Sequence, residues 1–185
     1  MYEVEVKYRL SPEEYRELVN KLTSMGAKLL EELQEQDIYF SHPCRDFAET
    51  DEALRLRVIA KGPAINAVLT YKGPRIGSEG KTREELNVEV SNPETLVNIL
   101  EKLGFRKVAE IRKRRTVYTY ENYTIALDHV ERLGYFVEIE TVTNSKELID
   151  RCVNDILNFA ENNLGLTREK IETKTYLELM LSESA

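Results

Sequence analysis

MYEVEVKYRL, residues 1–10, sets Glu3, Glu5 and Lys7 at alternate positions with Val4 and Val6 between them. In an extended strand successive side chains point to opposite faces. The strand therefore carries a charged row on one face and Tyr2, Val4, Val6 and Tyr8 on the other. A charged row suits the wet side of an antiparallel sheet, and it suits a polar cavity equally well. Whether other strands gather charge in the same way decides between the two.

They do. Arg55 and Arg57 alternate with Leu54, Leu56 and Val58, and Thr70 and Lys72 alternate with Leu69 and Tyr71. Glu85, Asn87 and Glu89 alternate with Leu86, Val88 and Val90, and Glu138 and Glu140 with Val137 and Ile139. Asp128 sits in TIALDHV. IRKRR is ambiguous, because Lys113 and Arg115 share a face with Ile111 while Arg112 and Arg114 occupy the other.

Between these strands lie helices with clear end signals. Ser11 and Pro12 open SPEEYRELVNKLTSMG and Gly26 closes it; NPETLVNILEKLG repeats the arrangement, from Pro93 to Gly104. A third helix is expected over NSKELIDRCVNDILNFAENNLG, with Asn144 and Glu147 spaced as a capping box. GPRIGSEGKT reads as turn-rich, and TREKIETKTYLELML as helical or mixed. The segment 21–40 aligns without gaps on 99–118, matching Leu22 to Leu100, Gly26 to Gly104 and Glu32 to Glu110. An internal pseudo-repeat around 2–40 and 86–118 is thus expected within a single domain, 1–185.

Composition narrows the function. A chain of 185 residues, 42% hydrophobic and 32% charged, reads as an ordinary globular domain. Its net charge of −7 disfavours general nucleic-acid binding, which needs a basic surface. No apolar run reaches the roughly 18 residues of a membrane span, and the acidic N-terminus does not resemble a secretion signal; cytoplasmic residence is the expectation. Cys44, Cys152, His42 and His129 are too few and too scattered for a zinc site. Cys152 falls at core spacing in its helix, and Cys44 lies in a loop with no recognisable nucleophile partners. GPRIGSEG lacks the Gly-Lys-Ser/Thr ending of a phosphate loop.

If the helices cover the apolar faces, the charged faces look away from them. An open sheet would put those charges in water; a closed one would gather them around a lumen. Solvated faces tend to mix signs within a strand, whereas here carboxylate pairs and basic pairs fall on separate strands. Carboxylates hold Mg²⁺ or Mn²⁺, and Arg and Lys neutralise phosphate oxygens. Acidic and basic clusters on one face are what a metal-bound polyphosphate requires.

EVEVK, LRLR, LTYKGP, TREELNVEV, IRKRR, ALDHV and GYFVEIE, in that order, resemble the CYTH superfamily of triphosphate tunnel metalloenzymes, from Glu3 to about Lys174. Class IV adenylyl cyclases, thiamine triphosphatases and inorganic triphosphatases belong to that group. The resemblance implies an α+β fold, an antiparallel eight-stranded β-barrel or triphosphate tunnel with helices packed outside. It implies a metal set of Glu3, Glu5, Glu89, Asp128, Glu138 and Glu140 for Mg²⁺ or Mn²⁺, with Glu85 an added candidate. Lys7, Arg55, Arg57, Lys72, Arg83, Lys113, Arg115 and Lys174 would contact the triphosphate, and Arg75 would join Arg83 at the rim. Lys72, Arg57 and Glu138 would be catalytic.

The chemistry implied is metal-assisted attack on a phosphorus of ATP, tripolyphosphate or thiamine triphosphate. Water attacks in a triphosphate phosphohydrolase, and the ribose 3′-hydroxyl attacks in an adenylate cyclase. Length and spacing favour the compact cyclase-like branch. Thiamine triphosphate is less favoured, since the chain has no Trp to stack on a cationic ring. A non-catalytic nucleotide or polyphosphate binder and a structural module with solvated charges are the competing classes. No membrane partner is expected, and a homodimer stays open. Crowded carboxylates in such a site should raise some of their pKa values when metal is absent.

Overall fold

The computed structural model describes residues 2–75 and 83–183, with the backbone alone of Arg75 and Arg83. Strand β1 (Tyr2–Leu10) leads into α1 (Pro12–Ser24) and β2 (Lys28–Ser41); β3 (Ala53–Lys61), β4 (Ala64–Arg75) and β5 (Arg83–Glu89) follow. Helix α2 (Pro93–Lys102) precedes β6 (Arg106–Tyr120), β7 (Tyr123–Val130) and β8 (Gly134–Thr143); α3 (Ile149–Phe159) and α4 (Tyr176–Glu183) close the chain. The eight strands form one sheet in the order β1-β8-β7-β6-β2-β3-β4-β5. Its ends, β1 and β5, are not joined by hydrogen bonds among the described residues. The α+β class and the eight antiparallel strands expected from the sequence are present.

The helix starts follow the local signals. Glu14 N donates to Ser11 Oγ at 3.2 Å and Ser11 N donates back to Glu14 Oε2 at 2.9 Å, completing a capping box. Asn92 caps α2 by accepting from Thr95 N at 2.9 Å. Gly26 and Gly104 end the two helices in the left-handed region, at φ +79° and +93°, where a residue with a Cβ is strained. The third helix departs from expectation. Ser145, not Asn144, does the capping, accepting from Glu147 N at 3.3 Å. A 3-10 turn at Lys146–Leu148 then precedes α3, and a π turn at Ala160–Leu164 follows it. Ser145 wins because its hydroxyl lies one residue closer to the first free N–H groups of the turn.

Two compact units divide the chain: Met1–Glu32 with Lys113–Leu179, and Leu33–Arg112 with Met180–Ala185. In the first, Val4, Val6 and Tyr8 of β1, Ile125 and Leu127 of β7, and Val137 and Ile139 of β8 share one face. Leu18 and Leu22 of α1 and Ile156, Leu157 and Phe159 of α3 join these residues in one core. Leu22 is fully buried, and truncating such a leucine to alanine costs about 3 kcal/mol. Cys152 packs at the edge of this core, as its helical spacing predicts. The second unit has its own core, Ile38 and Phe40 of β2, Leu56 of β3, Ala67 of β4 and Leu100 of α2.

In each unit, then, a helix covers much of the apolar face and the charged row lies on the other, while Leu86 and Val88 of β5 stay exposed. The ambiguity at β6 resolves the same way. Lys113 is buried and Arg115 half-buried opposite Val130 and Asp128, while Arg112 and Arg114 are exposed. The GPRIGSEGKT stretch falls outside the described residues from 76 to 82.

Candidate active site

The charged face of the first unit is assembled by strand register. Glu5 lies opposite Glu140 and Lys7 opposite Glu138 on β1 and β8. Thr124 and Ala126 of β7, next in line opposite Glu140 and Glu138, are short. Arg115 of β6 then faces Asp128. Asp128 is fully buried and heavily bonded. It accepts from Arg115 Nε at 2.7 Å and Nη2 at 2.6 Å, from Lys113 Nζ at 3.2 Å, and from the Tyr176 hydroxyl at 2.8 Å. Arg115 also donates to Glu138, and Lys7 Nζ stands 4.0 Å from Glu138.

The pKa values sort these acids into two roles. Burial opposes ionisation of Asp128, yet Lys113 and Arg115 outweigh it and hold the carboxyl at about 2. Glu138 is likewise lowered: burial pushes up, but Arg115, Lys113 and Lys7 prevail. Glu140, only two residues on, is raised to about 7, by burial and then by the charges of Glu3 and Glu5. The crowding expected from the sequence is thus felt at Glu140 alone of these three. Two acids of one strand are driven apart because Glu138 neighbours cations and Glu140 neighbours anions.

A divalent ion fits that anionic end. Among the described residues no three His, Cys, Asp or Glu side chains form a preformed cage. Mg²⁺, however, takes one or two carboxylates and fills its remaining positions with water and phosphate oxygens. Repulsion among Glu3, Glu5 and Glu140 is what such a cation would relieve. Asp128 is a different case: its oxygens are occupied by Lys113, Arg115 and Tyr176.

The second unit carries the other basic row. Arg57 is clasped by Asp37 through two 2.6 Å bonds, with Glu35 3.4 Å from its Nη1. Arg55 Nη1 lies 3.9 Å from Asp37, and its buried Nε has no hydrogen-bond partner among the described residues. Such an orphaned donor is costly unless an acceptor reaches it, and a phosphate oxygen is one that would. Thr70, almost fully buried, donates to Asn87 at 2.7 Å, and Lys72 donates to Glu85 at 2.6 Å. Glu89 is exposed on the same face, opposite Val68.

The first unit therefore gathers Glu5, Lys7, Lys113, Arg115, Asp128, Glu138 and Glu140, with Glu3 more exposed at their edge. The second gathers Arg55, Arg57, Lys72 and Glu85. Lys174 is exposed, and its backbone N–H donates to Glu172. The Arg75 and Arg83 side chains lie outside the described residues.

Three residues were missed in the sequence. Glu35 and Asp37 alternate with Gln36 and Ile38 in EQDI, a signal as readable as LRLR. Tyr176 carries no periodic signal of its own.

The profile of the CYTH domain matches residues 1–176. The chain belongs to the CYTH family. CYTH enzymes are generally metal-dependent, and the CYTH fold of the structural neighbours fits a tunnel-like barrel.

An archaeal CYTH relative, from Methanocaldococcus jannaschii, is 37% identical over 97% of this chain and 98% of its own; its name gives adenylate cyclase as a provisional activity. Adenylate cyclase CyaB of Aeromonas hydrophila is 31% identical over 96% of this chain and 88% of its own. Among solved structures, the PH1819 protein of Pyrococcus horikoshii superposes with a TM-score of 0.85 at 38% identity, covering 98% of this chain and 99% of that one. A Hippeastrum protein first named an adenylyl cyclase and described as having a dominant triphosphatase activity shares the fold, with a TM-score of 0.69 and 21% identity over 98% and 95% of the two chains. No helix among the described residues is long and apolar enough to cross a membrane.

Proposed function

We propose that this chain is a metal-dependent enzyme acting on a triphosphate, with cyclisation of ATP as its leading reaction. The observation that carries this reading lies within the first unit, where Lys7, Lys113 and Arg115 share a face with the crowded carboxylates Glu3, Glu5, Glu138 and Glu140. Glu3, Glu5, Glu138 and Glu140, with Glu89 in the other unit, are the carboxylates offered to Mg²⁺ or Mn²⁺. Asp128 joins them only by exchanging hydrogen bonds it already accepts. When bound, the metal supplies Lewis-acid polarisation of phosphate oxygens.

The chain's own residues do the rest. Lys7, Lys113 and Arg115 in one unit, and Arg55, Arg57 and Lys72 in the other, neutralise phosphate oxygens and the charge that grows on the leaving pyrophosphate. Arg83 and Lys174 are further phosphate contacts in this reading. In the cyclase reaction the ribose 3′-oxygen bonds to the α-phosphorus and the bond from that phosphorus to the bridging oxygen breaks. Pyrophosphate leaves, and the hydroxyl proton passes to a carboxylate of the acidic cluster. Adenylate cyclase names at 37% and 31% identity favour this reaction. The triphosphatase activity of the Hippeastrum neighbour favours water as the alternative nucleophile.

The test mixes purified protein with ATP, tripolyphosphate or thiamine triphosphate, with Mg²⁺ or Mn²⁺, and resolves cyclic AMP from phosphate. Cyclic AMP and pyrophosphate in equal amounts, rising at alkaline pH and lost with chelator, are expected. Phosphate without cyclic AMP assigns the hydrolase; tight binding without turnover assigns a binder; metal-independent turnover removes the proposal.

A further inference from the structure

Residues 171–176 fasten the C-terminal segment onto β1 beside Lys7. Ile171 bridges Tyr8, and Glu172 N donates to the Lys7 carbonyl at 2.8 Å. Thr175 and Glu178 then form a capping box, Glu178 N donating to Thr175 Oγ1 at 3.2 Å and Thr175 N to Glu178 Oε2 at 2.6 Å. Tyr176, the first residue of α4, is thereby fixed in place and delivered to the charged face.

There the ring meets two cations. Lys7 Nζ lies 4.4 Å from the ring centroid and Lys113 Nζ 5.2 Å, both within cation–π range. Phe136 meets the ring edge-on at 5.1 Å and the hydroxyl donates to Asp128. Lys7 and Lys113 are each only 4% exposed, so their charges have given up most of their water. A buried ammonium on a flexible stem needs contacts that fix its position. The π face adds to the contacts that Asp128 gives Lys113 and Glu138 gives Lys7, without adding a further anion to compete with phosphate.

Resting on the triphosphate reading above, we infer that Tyr176 is a positioning residue for substrate. Its ring holds the Lys7 and Lys113 ammonium groups in place on the charged face for phosphate oxygens, and its hydroxyl fixes Asp128 beside them. The helix-terminal segment after Thr175 is then part of the binding site.

Two variants separate the roles: Tyr176→Phe keeps the ring and loses the hydroxyl, and Tyr176→Met keeps apolar bulk and loses the π face. Tripolyphosphate is titrated calorimetrically into metal-free full-length protein in chelator, and thermal midpoints are measured alongside. Tyr176→Met should weaken binding roughly tenfold, as loss of desolvated cation–π contacts implies, and Tyr176→Phe by about threefold or less. In a Lys7→Met background, Tyr176→Met should weaken binding by a smaller factor, because one of the two ring contacts is already lost. In ligand-free wild type the ε-methylene protons of Lys7 and Lys113 should be shifted upfield by the ring, a readout that stands even if Tyr176→Met fails to fold.

Ordinary ε-methylene shifts, or Tyr176→Met binding tripolyphosphate as wild type does, overturns the inference while leaving the triphosphate reading intact. Wild type that ignores tripolyphosphate both in chelator and with Mg²⁺ overturns both.

Discussion

Arg115 and Asp128 face each other across β6 and β7 and make a two-pronged ion pair at 2.7 and 2.6 Å, with Lys113 on the same carboxylate. Asp128 is fully buried. Replacing it by asparagine leaves the buried Lys113 and the half-buried Arg115 facing a neutral amide, and breaking a buried pair from one side costs up to about 3–5 kcal/mol. Asp128→Asn should therefore lower the denaturant midpoint strongly at pH 7. The sign with pH follows from a folded pKa of about 2 against an ordinary 3.8. The stabilisation is complete above the unfolded value and fades as pH falls from 3.8 toward 2. Urea melts at stepped pH should show wild type converging on Asp128→Asn in that window.

Arg57 shows the same logic with a functional consequence. Its fork is held by Asp37, 3% exposed. Arg57→Lys keeps the charge but cannot reproduce two parallel bonds. Tripolyphosphate affinity should fall about tenfold with a modest loss of stability, since one charge-assisted hydrogen bond is worth about 1.5–3 kcal/mol. Unchanged affinity in a titration of Arg57→Lys would remove Arg57 from the phosphate-binding set.

Glu140 reports the metal. Its pKa near 7 means that metal-free protein carries it partly protonated at neutral pH. A carboxyl whose folded pKa is raised leaves stability untouched below its unfolded value, weakens the fold as pH climbs from 4.5 to about 7, and carries the full cost above that. Glu140→Gln should accordingly raise the thermal midpoint at pH 8 in chelator, and lower Mg²⁺ affinity. Mg²⁺ titrated into wild type at pH 7 should release protons, visible as a dependence of calorimetric heat on the buffer's ionisation enthalpy. Heat independent of buffer would place the ion elsewhere.

Legibility in the sequence tracked periodicity. EVEVK, LRLR and VEIE declared their strands because the alternation has a period of two and nothing interrupts it. IRKRR could not, since both faces carry cations; pairing with Asp128 decided the face. Asp37 shows the same alternation in EQDI, but alternation does not tell a carboxylate that clasps an arginine from any other acid. Tyr176 escaped because its role depends on where the chain returns, fixed by the Glu172 to Lys7 hydrogen bond, and no local pattern encodes that. The third cap went to Ser145 over Asn144, as both are good capping residues and one position decides.

The two helix-ending glycines, matched in the internal alignment, should differ when changed. Both sit at positive φ, +79° for Gly26 and +93° for Gly104, where alanine costs roughly 1–2 kcal/mol. A Cβ on Gly26 meets nothing within 4 Å, whereas on Gly104 it stands 3.2 Å from Pro43 Cβ, a ring that cannot rotate aside. Leu22 and Leu100, the residues whose carbonyls accept the N–H groups of Ala27 and Phe105, are both core residues, so each turn is fixed by packing. Gly26→Ala should lose only the conformational cost, and Gly104→Ala that cost plus a steric one. Chemical melts of both variants should rank Gly104→Ala below Gly26→Ala; the reverse order would show that the His42–Pro43 loop yields freely, and that the tight approach there contributes nothing to the second unit's stability.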